Sequence, residues 1–105
     1  MENKNTFAAK LAEVTPGTTK KICMPGRAPI LLANVEGTIY AVDDTCTHED
    51  SSLALGCLRG DKVKCTLHGS WFSVVDGEPS EDPADEALQT YAVTIQDDEI
   101  WLALN

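Results

Sequence analysis

The stretch that decides the fold is CTHEDSSLALGCLRGDKVKCTLHGSW, residues 46–71, which sets a Cys and a His two positions apart and repeats the pairing three positions apart after sixteen intervening residues. The chain has only two histidines, His48 and His68, and each stands beside a cysteine, Cys46 and Cys65. Two thiolates and two imidazoles suit either zinc or an iron-sulfur cluster. Structural zinc sites usually pair like with like within each knuckle, whereas here both pairs are mixed.

The segments around this stretch read as β-structure. Short apolar or β-branched runs recur at Thr19–Met24, Ile30–Val35, Thr38–Asp43, Lys62–Cys65, Trp71–Val75, Thr90–Ile95 and Ile100–Leu104. Between them lie turn formers: Pro16-Gly17, Pro25-Gly26, Glu36-Gly37, Arg59-Gly60-Asp61, Asp76-Gly77 and Gln96-Asp97-Asp98-Glu99. Tyr91, Val93 and Ile95 share one face of their strand, as do Ile100, Leu102 and Leu104, so these two strands are expected to form a hairpin with apolar faces toward a core. No helical period competes. The expected fold class is all-β, a small antiparallel β-sandwich or partly closed barrel in which Cys46/His48 and Cys65/His68 sit on two loops. At 105 residues, 43% hydrophobic and 24% charged, the chain suits one domain spanning residues 1–105.

Charge narrows the partners. All eight basic residues precede position 65 and are balanced there by acids, so the net −9 lies wholly in residues 65–105. Such a surface repels phosphate backbones and anionic lipid, which excludes nucleic acid and membrane as expected partners. The acidic run is read as a solvated face or as a docking device, and the residues leave both open. No apolar run approaches the ~20 residues needed to cross a bilayer, and the N-terminal residues lack a signal core. A cytoplasmic protein is expected. In a reducing compartment Cys23 and Cys57 are read as small packing residues, with a disulfide between them disfavoured.

The pattern C-x-H-x16-C-x2-H resembles the binding signature of Rieske-type [2Fe-2S] proteins. The stretches EGTIYAVDDTCTH, SSLALGCLRGDKVKCTLHGSWF and QTYAVTIQDDEIWL extend the resemblance from about Leu11 to the C-terminus, toward the stand-alone Rieske ferredoxins of bacterial aromatic-ring-hydroxylating dioxygenases. The resemblance implies one [2Fe-2S] cluster per chain, with Cys46 and Cys65 on one iron and His48 and His68 on the other, in a cluster-binding subdomain at about residues 44–72. It implies an electron carrier rather than an enzyme, passing single electrons from a flavin-dependent ferredoxin reductase to a terminal oxygenase, and a monomer is expected. A Rieske-like subunit of another electron chain, such as one allied to nitrite reduction, and a structural Cys2His2 zinc module are the alternatives. A cysteine nucleophile with a histidine base is weaker, because no acyl-transfer constellation accompanies it. A proline-bearing loop closes over the cluster in such ferredoxins, and Pro83 is the candidate here. Leu53, Leu55, Leu67 and Trp71 lie close enough to the ligands in sequence to form an apolar collar, with core packing the first role of Trp71. Respiratory Rieske proteins brace their loops with an extra disulfide, but this chain has Leu67 where the second-loop Cys stands.

Two ferric ions, two sulfides and two thiolates sum to no formal charge, whereas four thiolates leave two negative charges, so histidine ligation raises the potential. High-potential members resemble H-G-S-x-Y, in which Ser and Tyr hydroxyls donate to sulfur. Here the residues are His68-Gly69-Ser70-Trp71-Phe72, which keep Ser70 and lose the tyrosine hydroxyl. Glu49, beside His48, adds negative field near the outer iron unless water screens it. A redox titration is therefore expected to place the midpoint in the low part of the Rieske range of roughly −150 to +300 mV, and a midpoint well above zero contradicts this reading.

Overall fold

The computed structural model describes residues 4–23, 26–45, 52–64, 71–79 and 87–104. Ten strands are present among them: β1 (Lys4–Lys10), β2 (Thr19–Ile22), β3 (Ile30–Val35), β4 (Thr38–Asp43), β5 (Leu58–Arg59), β6 (Lys62–Lys64), β7 (Trp71–Ser73), β8 (Thr90–Tyr91), β9 (Val93–Gln96) and β10 (Glu99–Leu104). Two single 3-10 turns, Leu11–Glu13 and Leu53–Leu55, complete the described elements. The strands form three antiparallel sheets in the orders β1-β10-β9, β2-β3-β4-β8 and β5-β6-β7, none of them closed into a barrel.

The middle sheet is covered on both faces, and β3 shows why. Its sequence ILLANV is an almost unbroken apolar run, the pattern of a strand with no solvent side. Alternation sends Ile30 and Leu32 into one core with Ile39, Ala41, Ile100 and Leu102, against the β1-β10-β9 sheet. Leu31 and Ala33 point the other way, into a second core with Val42, Leu53, Val63, Phe72 and Leu88. The first core makes the sandwich. The second fastens the β5-β6-β7 sheet, and with it the segment that carries Cys65 and His68, to the rest of the protein.

The tight turns match their sequences. Val35 pairs with Thr38 and Gln96 with Glu99, so Glu36-Gly37 and Asp97-Asp98 are two-residue hairpin turns. All four turn residues have positive φ, between 52° and 97°, as the twist of such hairpins requires. Asn34 braces the first turn from a buried position, accepting from the Gly37 amide and donating to the Val14 carbonyl, both at 2.7 Å.

Several expectations are corrected. Strand β1 pairs along β10 although Lys4–Lys10 lacks a β-branched run. The run expected over Thr90–Ile95 breaks at Ala92 into β8, which joins β4, and β9, which joins β10, so one stretch passes between two sheets. Ile100 and Leu102 are buried as expected, but Ile95 is 45% exposed because β9 is an edge strand. The run from Trp71 leaves the sheet after Ser73, and Val75 is exposed. Cys23 and Cys57 are free and exposed, so neither packs a core.

Where β8 meets β4, the Tyr91 hydroxyl donates to Asp43 Oδ1 at 2.5 Å, and the Arg27 guanidinium lies 5.8 Å from the ring centroid. Burial, then hydrogen-bonding to Asp43 and the Asp43 charge, push the Tyr91 pKa from 10.0 up to about 12, while Arg27 pulls it back. The folded state thus favours the neutral phenol. This contribution to stability is complete below pH 10.0 and is lost as pH rises through about 12. An ultraviolet phenolate titration is expected to show a step near pH 12 that disappears in Tyr91→Phe.

Candidate metal centre

Cys46, His48, Glu49, Cys65, Leu67, His68, Ser70 and Pro83 lie outside the described residues, but the stems that carry them do not. The chain leaves the middle sheet after Asp43, and just beyond it Thr45 and Ser52 form an isolated antiparallel bridge. It leaves β6 at Lys64 and returns at Trp71 in β7, and these two are cross-strand partners. Each stem pair therefore closes a six-residue segment, 46–51 or 65–70, holding one Cys and one His.

Asp44 holds the first stem. It is 1% exposed, yet both carboxylate oxygens are satisfied: Ser52 Oγ donates to Oδ2 at 2.5 Å and the Ala54 amide to Oδ1 at 2.9 Å. Its backbone carbonyl accepts from Leu53 at 2.7 Å, and Lys21 Nζ stands 3.7 Å from Oδ2. A buried carboxylate is tolerated only when so paired, and removing it would orphan the amide and hydroxyl that organise the 3-10 turn.

The two stems are then fastened to each other. After the 3-10 turn the chain passes through Gly56 and Cys57 alongside Lys64, whose amide donates to the Cys57 carbonyl at 3.0 Å. The approach is so close that a Cβ on Gly56 would lie 1.7 Å from the Lys64 carbonyl oxygen. Backbone sits against backbone, so no rotamer change relieves the clash. Glycine is required here for space and not for its φ of −88°, which any residue adopts.

A third segment returns to the same sheet. Pro79 bridges Phe72, the Ser73 amide donates to Glu78, and the Leu88 amide donates to the Gly77 carbonyl at 2.7 Å. Gly77 has a φ of +78°, and a Cβ there would lie 2.2 Å from the Leu88 carbonyl oxygen, so two constraints demand glycine. Residues 80–86, which include Pro83, are thus bracketed by positions tied to β7. Phe72, at the place of the tyrosine in H-G-S-x-Y, is fully buried in the second core. Leu53 is fully buried there too, so it cannot belong to an exposed collar. Trp71 is half-buried, with Arg59 Cζ and Lys64 Nζ at 5.9 and 5.7 Å from its ring centroid.

Three antiparallel sheets in this order, with residues 46–51 and 65–70 each flanked by paired stem residues, define a small all-β domain. The chain belongs to the Rieske [2Fe-2S] domain family, whose model matches residues 4–92, and its cofactor is a Rieske [2Fe-2S] cluster. It is 35% identical over 92 residues to ferredoxin CarAc of Metapseudomonas resinovorans, covering 88% of this chain and 86% of that one. It is 40% identical over 79 residues to the ferredoxin component of biphenyl 2,3-dioxygenase of Rhodococcus jostii (strain RHA1), covering 75% and 74%. Among solved structures, a complex of reduced oxygenase and oxidized ferredoxin in carbazole 1,9a-dioxygenase matches with a TM-score of 0.92 at 31% identity, over 97% of this chain and 94% of that one. The relatives are named as ferredoxin components, electron carriers rather than enzymes. The donor set fits the cofactor, since two thiols and two imidazoles on paired stems are what such a cluster takes.

Sequence reasoning did not single out Asp44, Gly56 or Gly77 as site residues. Gly56 carried a signal, since it stands directly before Cys57 outside every turn motif. Gly56→Ala is expected to push the stems apart and leave most of the purified protein without iron and sulfide. Gly37→Ala, at a turn with open space around it, is expected to cost about 1 kcal/mol or more through its φ of +97° yet keep the cluster. Iron content per chain and thermal melts of both variants check this.

Proposed function

We propose that the protein is the one-electron carrier of an aromatic-ring-hydroxylating dioxygenase system, and that Cys46, His48, Cys65 and His68 hold its cluster, the cysteines on one iron and the histidines on the other. The observation that carries the reading is the pair of stems: each closes one Cys/His segment, and the Gly56–Lys64 contact locks the two together. When bound, the cluster supplies reversible uptake and release of a single electron.

The chain's own residues supply the rest. Asp44 and the bridges at Thr45–Ser52 and Lys64–Trp71 fix the stem residues from which the segments that would hold the cluster depart. Leu53, Val63 and Phe72 form a dry floor beneath the stems. Ser70 offers a hydroxyl to a cluster sulfur, and Pro83 closes the third segment over the site.

The donor is a flavin-dependent ferredoxin reductase and the acceptor a terminal oxygenase. The second is supported by the solved complex of a 31% identical ferredoxin with its oxygenase. Dioxygenase service is favoured over another electron chain because the relatives at 35% and 40% identity are ferredoxins of such systems. The carrier works as a monomeric single domain in the cytoplasm, without nucleic acid or membrane, as its net charge of −9 favours. Among the described residues no helix is long and apolar enough to cross a bilayer.

Purified protein is expected to be red-brown, with equal iron and sulfide and a rhombic EPR signal on reduction. His68→Cys and His48→Cys are expected to lower the midpoint by adding thiolate charge, while Cys65→Ser and Cys46→Ser are expected to lose the cluster. Colourless protein containing zinc, prepared anaerobically, would overturn the reading.

A further inference from the structure

The β5-β6-β7 sheet has one apolar face and one cationic face. Leu58, Val63 and Phe72 are cross-strand neighbours turned into the core. By alternation the rows on either side face outward: Arg59, Lys62 and Ser73 in one, Lys64 and Trp71 in the other. Arg59 and Lys62 are exposed, Lys64 and Trp71 half-buried, and Arg59 and Lys64 both stand within 6 Å of the one indole.

Among the described residues none of these three cations is ion-paired to a carboxylate. The ion pairs among the described residues are Lys20–Glu13 and Lys21–Asp44, both elsewhere. Asp61 lies in the turn between Arg59 and Lys62 but pairs with neither, and its backbone carbonyl accepts from Val74. Although the chain carries 17 acids, this basic group has no ion pair among the described residues. Three like charges within about one Debye length repel one another, a cost relieved when an anionic surface covers them. An indole edged by Arg and Lys is also the composition of an interface anchor.

We propose that this face is the docking surface for an electron-transfer protein that presents carboxylates, with Trp71 as the apolar anchor and Arg59, Lys62 and Lys64 as its cationic frame. The inference rests on the proposed ligand set, because the segment holding Cys65 and His68 leaves this face at Lys64 and returns to it at Trp71. A partner seated here lies beside that segment. The net charge of −9 opposes general attraction of an acidic partner, so a local cationic face also favours one orientation.

The test compares holoprotein carrying Arg59→Glu with Lys62→Glu against a control carrying Lys10→Glu with Lys20→Glu, the same change in net charge placed on β1 and β2. Neither substituted pair adjoins a proposed ligand. Unchanged visible and EPR spectra in both show that the cluster reading stands apart from the docking result. Stopped-flow electron transfer is measured with the host's own flavin reductase and terminal oxygenase, and with hexacyanoferrate(III) as a small anionic probe. At low ionic strength the Arg59/Lys62 variant is expected to react about tenfold more slowly with at least one protein partner and about threefold more slowly with the probe. The control is expected to stay within about twofold, and the difference to vanish in high salt. Rates unchanged with both partners, or lowered equally in the control, overturn the proposal. If the double reversal fails to load its cluster, Arg59→Gln with Lys62→Gln replaces it, with about a threefold loss expected and no loss overturning the proposal.

Discussion

Everything at the functional end of the molecule depends on two backbones passing at a distance that only glycine allows. Gly56 lies against the Lys64 carbonyl, and the hydrogen bond from the Lys64 amide to Cys57 runs beside it. A cluster bridging two loops needs those loops in fixed relation, and side chains alone hold such a relation loosely because they can rotate. Direct contact of main chains leaves no such freedom. Asp44 does the equivalent for the other stem, converting one buried carboxylate into contacts with Ser52 and Ala54.

The frame is fixed in turn by the middle sheet. Because β3 is buried on both faces, its odd and even residues serve different cores, and a one-residue slip in its pairing would exchange them. Ile30 and Leu32 hold the sandwich while Leu31 and Ala33 hold the floor under the stems. The register of β3 against β4, set by the Glu36-Gly37 turn and braced by Asn34, therefore reaches the cluster end of the molecule through packing.

Much of this was legible in the residues, and what escaped had a physical reason. Hairpins centred on Glu36-Gly37 and Asp97-Asp98 announce themselves because turn chemistry is local. The strand at Lys4–Lys10 does not, since its pairing is provided by the free edge of β10 and not by its own side chains. Cysteine was read as a packing residue at positions 23 and 57, yet both thiols face solvent, because composition says nothing about which side of a chain meets the core. Asp44 looked like one more acid beside a motif. Its burial follows from partners at positions 21, 52 and 54, which no local pattern brings together. The C-x-H and C-x2-H spacings were legible in the residues, and the described positions flanking them are paired, Thr45 with Ser52 and Lys64 with Trp71.

A carrier of the proposed kind must bind two proteins in turn and release each, so its surface cannot be uniformly attractive. Here the whole net negative charge falls in the sequence of residues 65–105, while Arg59, Lys62 and Lys64 lie together on the β5-β6-β7 sheet. Strong general attraction would slow release, while general repulsion would slow encounter. A surface of net negative charge carrying the proposed cationic face resolves the two demands, since long-range repulsion disfavours wrong orientations and the short-range attraction, screened within about a nanometre, acts only when the partner is already aligned. Trp71 adds apolar area to that face, with Arg59 and Lys64 both within 6 Å of its ring centroid. Complex lifetime is then governed by a few contacts around one aromatic residue, the arrangement that allows fast dissociation after a single electron has moved.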